Sequence, residues 1–253
     1  MANKKKIALI VTGSLVGFLS ISVLLGLVFT GKYVGWGPFK SLFWEQEVKR
    51  VQKSYPYGEN QEGIVFYGPS NFRLWTEMTN DLKEYKVVNS GFGGSTDKLM
   101  VKYADRLLYP YKPKILFFQT GSNDYVEMSE TDEEKISACM EYKKVMYETF
   151  HNALPNTKFV VMSGLLLPGR STYTDLTIKV NEKLSEYAKT IDYLYFVNAN
   201  EMTFDGANYR KELFQSDGIH LNHEGQLEWR DKYIKPEIES LINEFSFLES
   251  VRK

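Results

Sequence analysis

The sequence predicts a three-layer α/β/α domain built around a five-stranded parallel β-sheet. Short runs of β-branched and aromatic residues alternate along the chain with longer amphipathic stretches, which is the pattern of βα units around a parallel sheet. The 253 residues are 43% hydrophobic, enough for one sizeable core once a targeting segment is set aside. We therefore expect one α/β domain.

The predicted elements follow this alternation in order. Strands are predicted at residues 64–67, 86–89, 115–119, 159–163 and 194–198. Helices are predicted at residues 71–84, 97–108, 132–153, 174–189 and 223–245. In an open parallel sheet, ligands bind beyond the carboxyl ends of the strands. The loops that follow the strands are therefore the expected place for functional residues.

The amino-terminal segment predicts one transmembrane helix. Three lysines at positions 4–6 precede an uncharged run at residues 7–31, and Lys32 closes it. A helix of that length spans roughly 35 Å, enough to cross a hydrocarbon layer of about 30 Å with some tilt. The lysines predict that the amino terminus lies on the inner side of the cell membrane and that the folded domain lies on the outer side. The alternative is a cleaved leader, which would release a secreted protein.

Three regions follow from this interpretation. Residues 1–31 form the predicted signal anchor, residues 32–62 a stalk with a short helix at 41–53, and residues 63–253 the folded domain. The stalk begins with glycine and aromatic residues, and aromatic residues close behind an apolar span are typical of a membrane interface. Internal repeats and low-complexity tracts are absent from the sequence.

Residue counts argue against several classes of partner. The chain has 31 Lys and Arg against 32 Asp and Glu, a net charge of −1, so no strong field would attract nucleic acid. The single cysteine, Cys139, has no second cysteine to pair with, and we expect a half-buried helix residue rather than a nucleophile. His223 follows His220 by three residues, but His151 lies in a distant predicted helix. A metal site is therefore not predicted.

The first candidate site residue is Ser70, in the turn after the first predicted strand. Gly68 and Pro69 precede it and a predicted helix follows it. A serine at a strand-to-helix turn can hold its hydroxyl above the sheet edge, as a nucleophile requires. The same position suits a plain helix N-cap, where serine is a favoured residue.

The second candidate is the pair Asp217 and His220, three positions apart near the carboxyl end of the chain. A turn between them can place the carboxylate on one imidazole nitrogen while the other nitrogen faces a hydroxyl. A carboxylate so placed fixes the tautomer of a histidine base and stabilises the imidazolium that forms when the base takes a serine proton. Taken alone, a histidine on a loop is also compatible with a structural role.

Two further candidates follow the second and third predicted strands. Residues 89–96 form a glycine-rich turn that can expose a backbone N–H, and Asn123 places an amide side chain after the third strand. An oxyanion hole needs such preorganised donors. The glycine-rich turn can instead cradle a phosphate, but it lacks the lysine of a P-loop and the glycine spacing of a dinucleotide site.

Taken in this order, the four signals closely resemble the GDSL/SGNH hydrolase family, whose four sequence blocks supply a serine, a glycine, an asparagine and a histidine. The resemblance runs from about residue 63 to residue 229. It implies the SGNH-hydrolase fold, which is a flavodoxin-like sandwich. It also implies a serine acyl-ester hydrolase that needs neither a metal nor an organic cofactor.

The resemblance also assigns roles to individual residues. Ser70 corresponds to the nucleophile, and Asp217 and His220 to the Asp-x-x-His of the last block. The backbone N–H of Ser70, the N–H of Gly94 and the amide of Asn123 correspond to the oxyanion hole, and Gly93 is the alternative to Gly94.

Two residues depart from the family pattern. Pro69 stands where the family usually has aspartate before the serine, and proline brings a fixed φ and no N–H. Ser95 replaces the common acidic residue after Gly94. The Pro69 substitution leaves the geometry of the turn open.

Esters of the cell envelope, such as O-acetylated glycans, or lipids at the membrane surface are the expected substrates. Arg170, Tyr173 and Tyr125 lie in loops that either line the substrate pocket or face solvent. Three other functions stay open. They are an acyltransferase that uses the same residues with a sugar hydroxyl in place of water, an inactive binding protein on this scaffold, and a structural envelope protein.

Overall fold

The computed structural model describes residues 20, 22–30, 41–119, 121–126 and 128–253. The chain divides into two compact units, Met1–Arg50 and Val51–Lys253. Within the first unit, residues 20 and 22–29 are helical. A search of the described residues finds no helix that is both long and apolar enough to cross a membrane. The predicted anchor at residues 1–31 falls mostly outside the described residues, so the anchor stays a prediction.

The second unit contains the predicted five-stranded parallel sheet. Its strands run in the order β2-β1-β3-β4-β5, and every neighbouring pair is parallel. The strands are β1 (Ile64–Tyr67), β2 (Val87–Asn89), β3 (Ile115–Gln119), β4 (Lys158–Met162) and β5 (Leu194–Val197). Every residue of β1, β2 and β3 is buried, as expected for a parallel sheet with both faces covered. The α/β fold class is confirmed.

Helices of very different length precede, connect and follow the strands. The short ones are α2 (Ser70–Arg73), α3 (Met78–Asp81), α5 (Ser122–Val126), α8 (Asn200–Thr203) and α9 (His223–Trp229). The longer ones are α1 (Ser41–Ser54), α4 (Asp97–Leu107), α6 (Asp132–Ala153), α7 (Thr174–Ala188) and α10 (Lys235–Glu244). Short 3₁₀ helices lie at Tyr57–Glu59, Tyr109–Tyr111, Pro168–Tyr173, Lys211–Leu213 and Ser246–Val251.

The single helix predicted at residues 71–84 is wrong in detail, because the chain forms α2 and α3 with a turn between them. The side chain of Asn89, at the end of β2, donates hydrogen bonds to the carbonyls of Phe72 (2.8 Å) and Trp75 (3.1 Å). These carbonyls are thereby satisfied outside a helical ladder. A residue distant in sequence therefore ends the helix.

The helix predicted at residues 223–245 is also interrupted. A π-helical turn, Arg230–Ile234, separates α9 from α10, and Lys235 N donates to Arg230 O. Pro236 follows directly and has no N–H to continue the regular ladder. The wider π turn accommodates a residue without an N–H, and the chain continues as α10 after it.

Aromatic packing fixes the position of α2, the helix that begins at Ser70. Phe72 is fully buried, stacks on Trp229 with ring centroids 5.3 Å apart, and contacts the edge of Phe66 at 5.4 Å. Burying side chains of this size contributes strongly to stability, and paired rings prefer such stacked and edge-on arrangements. Phe72 thus joins the start of α2 to β1 on one side and to α9 on the other.

Candidate active site

The turn that carries Ser70 is built by close packing at the end of β1. A methyl group added at Gly68 would lie 2.8 Å from the Gln119 carbonyl oxygen, so only glycine lets the chain pass this close to β3. Pro69 has φ −78° and ψ −158°, and its carbonyl accepts hydrogen bonds from the Phe72 and Arg73 N–H groups. Pro69 caps the helix through its carbonyl, so its missing N–H leaves the turn intact. Ser70 is the first residue of α2.

The structure brings Ser70, His220 and Asp217 into one chain of hydrogen bonds. His220 Nε2 lies 2.8 Å from Ser70 Oγ, and His220 Nδ1 lies 2.7 Å from Asp217 Oδ2. Because a carboxylate accepts hydrogen bonds, Nδ1 carries the proton in this arrangement and Nε2 is left as an acceptor for the serine hydroxyl. Two loops separated by about 150 residues therefore meet at the carboxyl edge of the sheet.

Local backbone geometry keeps Asp217 ionised. Its Oδ1 accepts hydrogen bonds from the N–H groups of Ile219 (2.8 Å) and His220 (3.0 Å). Partial burial raises the pKa of Asp217, but these bonds and the imidazole outweigh it and hold the pKa at about 2. Gly218 permits the tight turn, since it adopts φ +64°.

Asn71 ties the two loops together and was missed at the sequence level. Its Oδ1 accepts a hydrogen bond of 3.0 Å from the N–H of Leu221, directly after His220. The carbonyl of His220 accepts a second bond, of 2.8 Å, from Gln215 N. Asn71 was predicted only as the start of a helix, and nothing in the local sequence signals a partner so distant along the chain.

Two of the three predicted oxyanion residues lie around one cleft, and Gly94 is not among the residues that line it. Ser70 and Asn123 both line it, together with Gly121, Gly164 and Arg170. Asn123 Nδ2 donates a hydrogen bond of 3.1 Å to the carbonyl of Ser95, the residue after Gly94. Gly94 adopts φ +67°, a conformation that favours glycine. The glycine-rich turn is therefore held against the amide of Asn123.

A buried charge cluster lies behind this turn. Lys143 Nζ is 2.9 Å from Asp97 Oδ2, and both side chains are 2% exposed. Asp97 N donates a hydrogen bond of 2.8 Å to Asp124 Oδ1. Burial and the Asp97 carboxylate raise the pKa of Asp124 to about 7, an effect that Lys143 offsets only in part. The cluster joins the turn to the residue after Asn123.

The side chains whose role was left open have different surroundings. Arg170 lines the cleft. Tyr125 is 1% exposed and its hydroxyl pairs with Thr177, while Tyr173 packs on the Tyr125 ring at 5.6 Å. These tyrosines belong to a core cluster that also contains Cys139. They do not line the cleft.

Cys139, His151 and His223 do not line the cleft, and each contacts other parts of the fold. Cys139 is 1% exposed, more deeply buried than predicted, and burial raises the pKa of its thiol to about 11, which makes it a poor nucleophile. His151 stacks on Tyr193 with ring centroids 3.6 Å apart. His223 Nε2 lies 3.3 Å from Asp81 Oδ2.

A hydroxyl, an imidazole and a carboxylate linked in this order can perform the proton transfers of nucleophilic acyl transfer. They lie at the carboxyl edge of a parallel α/β sheet, where ligands bind in folds of this kind. The chain belongs to the GDSL-like lipase/acylhydrolase family, whose model matches residues 54–227.

Several solved structures share this fold. A Streptococcus pneumoniae protein described as a platelet activating factor is 17% identical, with a TM-score of 0.63 and coverage of 84% of this chain and 95% of that one. A GDSL-like lipase from Bacteroides thetaiotaomicron is 18% identical, with a TM-score of 0.56 and coverage of 77% and 98%. A family 3 carbohydrate esterase from Talaromyces cellulolyticus is 16% identical, with a TM-score of 0.53 and coverage of 73% and 100%. Identities this low show the shared fold alone.

A search among curated proteins found no match to the chain.

Proposed function

We propose that this protein is a serine acyl-ester hydrolase in which Ser70 is the nucleophile, His220 the general base and Asp217 the residue that orients the base. The observation that carries the proposal is the unbroken hydrogen-bond chain from Ser70 Oγ through both imidazole nitrogens to Asp217 Oδ2, with distances of 2.8 and 2.7 Å. Distances of this size are those required for a base to take the proton of a nucleophile.

The reaction proceeds in two steps. Ser70 Oγ attacks the ester carbonyl while His220 Nε2 takes the hydroxyl proton, and the tetrahedral intermediate then collapses as the imidazolium protonates the leaving alcohol. In the second step a water attacks the acyl-serine, again with His220 as base, and releases the acid and the free serine. Asp217 keeps the positive imidazolium stable during both steps, because its pKa of about 2 leaves the carboxylate charged at neutral pH.

Three groups are proposed to stabilise the negative oxygen of the intermediate. The backbone N–H of Ser70 is at the first position of α2, where helical N–H groups have no acceptor within the helix. The other two are the N–H of Gly94 and the amide of Asn123. Asn123 Nδ2 donates one hydrogen to the Ser95 carbonyl, and its second hydrogen can be donated to the oxyanion. Preorganised donors of this kind act where charge develops.

The cleft favours an ester with a small acyl group. Its apolar lining consists of Pro69, Leu165, Leu167 and Ile219, and the other lining residues are polar or glycine. One structural neighbour is named as a carbohydrate esterase. We therefore propose short-chain esters of a glycan, of the kind found in cell envelopes, as the substrate class.

The decisive experiment is covalent labelling of the full chain with a fluorophosphonate probe, together with hydrolysis of p-nitrophenyl acetate. Ser70→Ala should abolish both. The matched control is Ser137→Ala, which removes an exposed hydroxyl from α6 and should leave both unchanged. A folded wild-type protein that takes no label and cleaves no ester would reject the proposal. Transfer of acetyl to an added sugar without net hydrolysis would instead identify an acyltransferase.

A further inference from the structure

Arg170 places an uncompensated positive charge in the wall of the candidate active site. Its side chain is half-buried and lines the cleft beside Ser70. Its Nη1 donates hydrogen bonds to Ser122 Oγ and, at 3.0 Å, to Asn123 Oδ1. Both partners are neutral. In the part of the chain that the structure describes, no carboxylate lies within ion-pair distance of the guanidinium.

Other arginines of the same unit are arranged differently. Arg210 forms a two-pronged pair with Glu228, Arg230 with Asp231, and Arg252 with Glu239. Their side chains are 33%, 19% and 34% exposed, and pairing of partly exposed charges matters less than pairing inside a cleft. The more buried guanidinium is thus the one without a carboxylate, although removal from water makes a partner more necessary. Burial accordingly lowers the pKa of Arg170.

The backbone holds Arg170 in place. Gly169 N donates a hydrogen bond of 2.8 Å to the carbonyl of Gly218, and Arg170 N donates one of 2.9 Å to Leu167 O. A methyl group at Gly169 would lie 2.4 Å from the Asp217 carbonyl oxygen. The loop of Arg170 is therefore pressed directly against the loop of Asp217 and His220. The backbone at Arg170 is thus held beside the loop whose His220 contacts Ser70.

We propose that Arg170 determines specificity by binding a carboxylate or phosphate group that the substrate carries close to its ester. The inference rests on the proposed hydrolase function and narrows the substrate to an ester of an anionic molecule, such as an acidic or phosphate-bearing glycan. Arg170 Nε and Nη2 have no hydrogen-bond partner among the described residues, and arginine binds both anions through such paired N–H groups. The anion supplies the counter-charge that the protein lacks.

The test compares three acetyl esters that differ in charge. Phenyl acetate is neutral, 4-acetoxybenzoate carries a carboxylate, and 4-acetoxyphenyl phosphate carries a phosphate. The measured quantity is kcat/KM for each ester with the full chain and with Arg170→Gln. We expect the ratio of anionic to neutral ester to fall about 10- to 100-fold in the variant, the range for hydrogen bonds to charged groups. The change should appear mainly in KM.

Two variants separate this role from others. Arg170→Lys keeps the charge but loses the paired N–H geometry and should give an intermediate ratio. Lys179→Gln removes an exposed positive charge from α7 and should leave the ratio unchanged. The larger effect, on the carboxylate or on the phosphate ester, identifies the anion. Equal loss on neutral and anionic esters would overturn the inference, because Arg170 would then act only by orienting Asn123.

A binding measurement decides the question even if no ester is turned over. Calorimetric titration of Ser70→Ala with 4-acetoxybenzoate and with inorganic phosphate should show binding of at least one, and the double variant Ser70→Ala/Arg170→Gln should bind at least 10-fold more weakly. Equal binding by both variants, or by neither, contradicts the anion site. Absence of labelling and turnover in wild type with Arg170-dependent binding would reject the hydrolase and keep the site.

Discussion

Replacing Lys143 with methionine should destabilise the protein strongly, because it leaves two acidic side chains buried without their cation. Lys143 Nζ lies 2.9 Å from Asp97 Oδ2 with both side chains 2% exposed, and Asp124 Oδ2 is buried without a hydrogen-bond partner in the described residues. Removing one member of a buried ion pair costs about 3–5 kcal/mol. We expect the free energy of unfolding to fall by about that amount at pH 8.

The loss of stability caused by Lys143→Met should become larger as the pH rises. The pKa of Asp124 is raised by burial to about 7, above its value of about 4 in an unfolded chain. Between these values the folded state binds more protons, so stability falls as pH rises through this window. Without Lys143, whose charge lowers it, the pKa of Asp124 rises further. Lys143→Met should therefore cost less at pH 5 than at pH 8.

The assay is urea unfolding followed by tryptophan fluorescence at pH 5, 6.5 and 8. Lys144→Met is the matched control, since Lys144 is the exposed neighbour on the same helix, and it should change the free energy of unfolding by less than about 0.5 kcal/mol. Lys143→Met/Asp97→Asn should recover part of the loss, because a neutral buried pair replaces an unpaired charge. A loss below about 1 kcal/mol at pH 8, equal at all three pH values, would refute the reasoning.

Four further outcomes are expected. Asp217→Asn should lower kcat by about 10²- to 10⁴-fold with little change in Tm, because an amide hydrogen facing His220 Nδ1 selects the wrong tautomer; ester hydrolysis and thermal melting check this. The contribution of Asp217 to stability, given its depressed pKa of about 2, should be complete above pH 4 and lost as pH falls towards 2, which acid unfolding of wild type and Asp217→Asn measures. A methyl group at Gly169 would lie 2.4 Å from the Asp217 carbonyl oxygen, so Gly169→Ala should displace that carbonyl and reduce kcat for ester hydrolysis. Pro69→Asp should keep fluorophosphonate labelling of Ser70.

Local patterns were sufficient to predict most of the sheet and the longest helix. β3 (Ile115–Gln119) is a continuous apolar run that is buried throughout, and such runs mark strands covered on both faces. The helix Asp132–Ala153 begins at a complete capping box of Thr131 and Glu134, a signal written within four residues. Where hydrophobic pattern and capping agree, the predicted boundaries are confirmed.

The interruptions of helices were harder to predict, because one is caused by a residue distant in sequence and the other by an adjacent proline. Asn89 ends the helix after Ser70 by binding carbonyls 14 and 17 residues earlier in the chain, which no local pattern reveals. The π turn before Pro236 had a local signal, since proline cannot donate to the preceding turn. That signal indicated a break but not whether the helix would stop or continue.

The residues of the candidate site were predicted in chain order, while the contacts that support them were not. The bond from Leu221 N to Asn71 Oδ1 and the bond from Arg170 to Asn123 join segments 150 and 47 residues apart. Lys143 did carry a usable signal. It occupies a buried stripe of its helix between Cys139 and Met146, where an unpaired lysine would be costly.

The hydrogen bonds that hold the loop of His220 determine whether Ser70→Ala keeps an intact cleft. Gln215 N binds the His220 carbonyl, Leu221 N binds Asn71, and Asp217 binds both the backbone and the ring of His220. The Ser70 hydroxyl adds only one more bond to this set. Its removal should therefore leave the histidine loop in place. Because Gly169 packs on the same loop, Arg170 keeps its position as well, and anion binding by Ser70→Ala reports on the intact cleft.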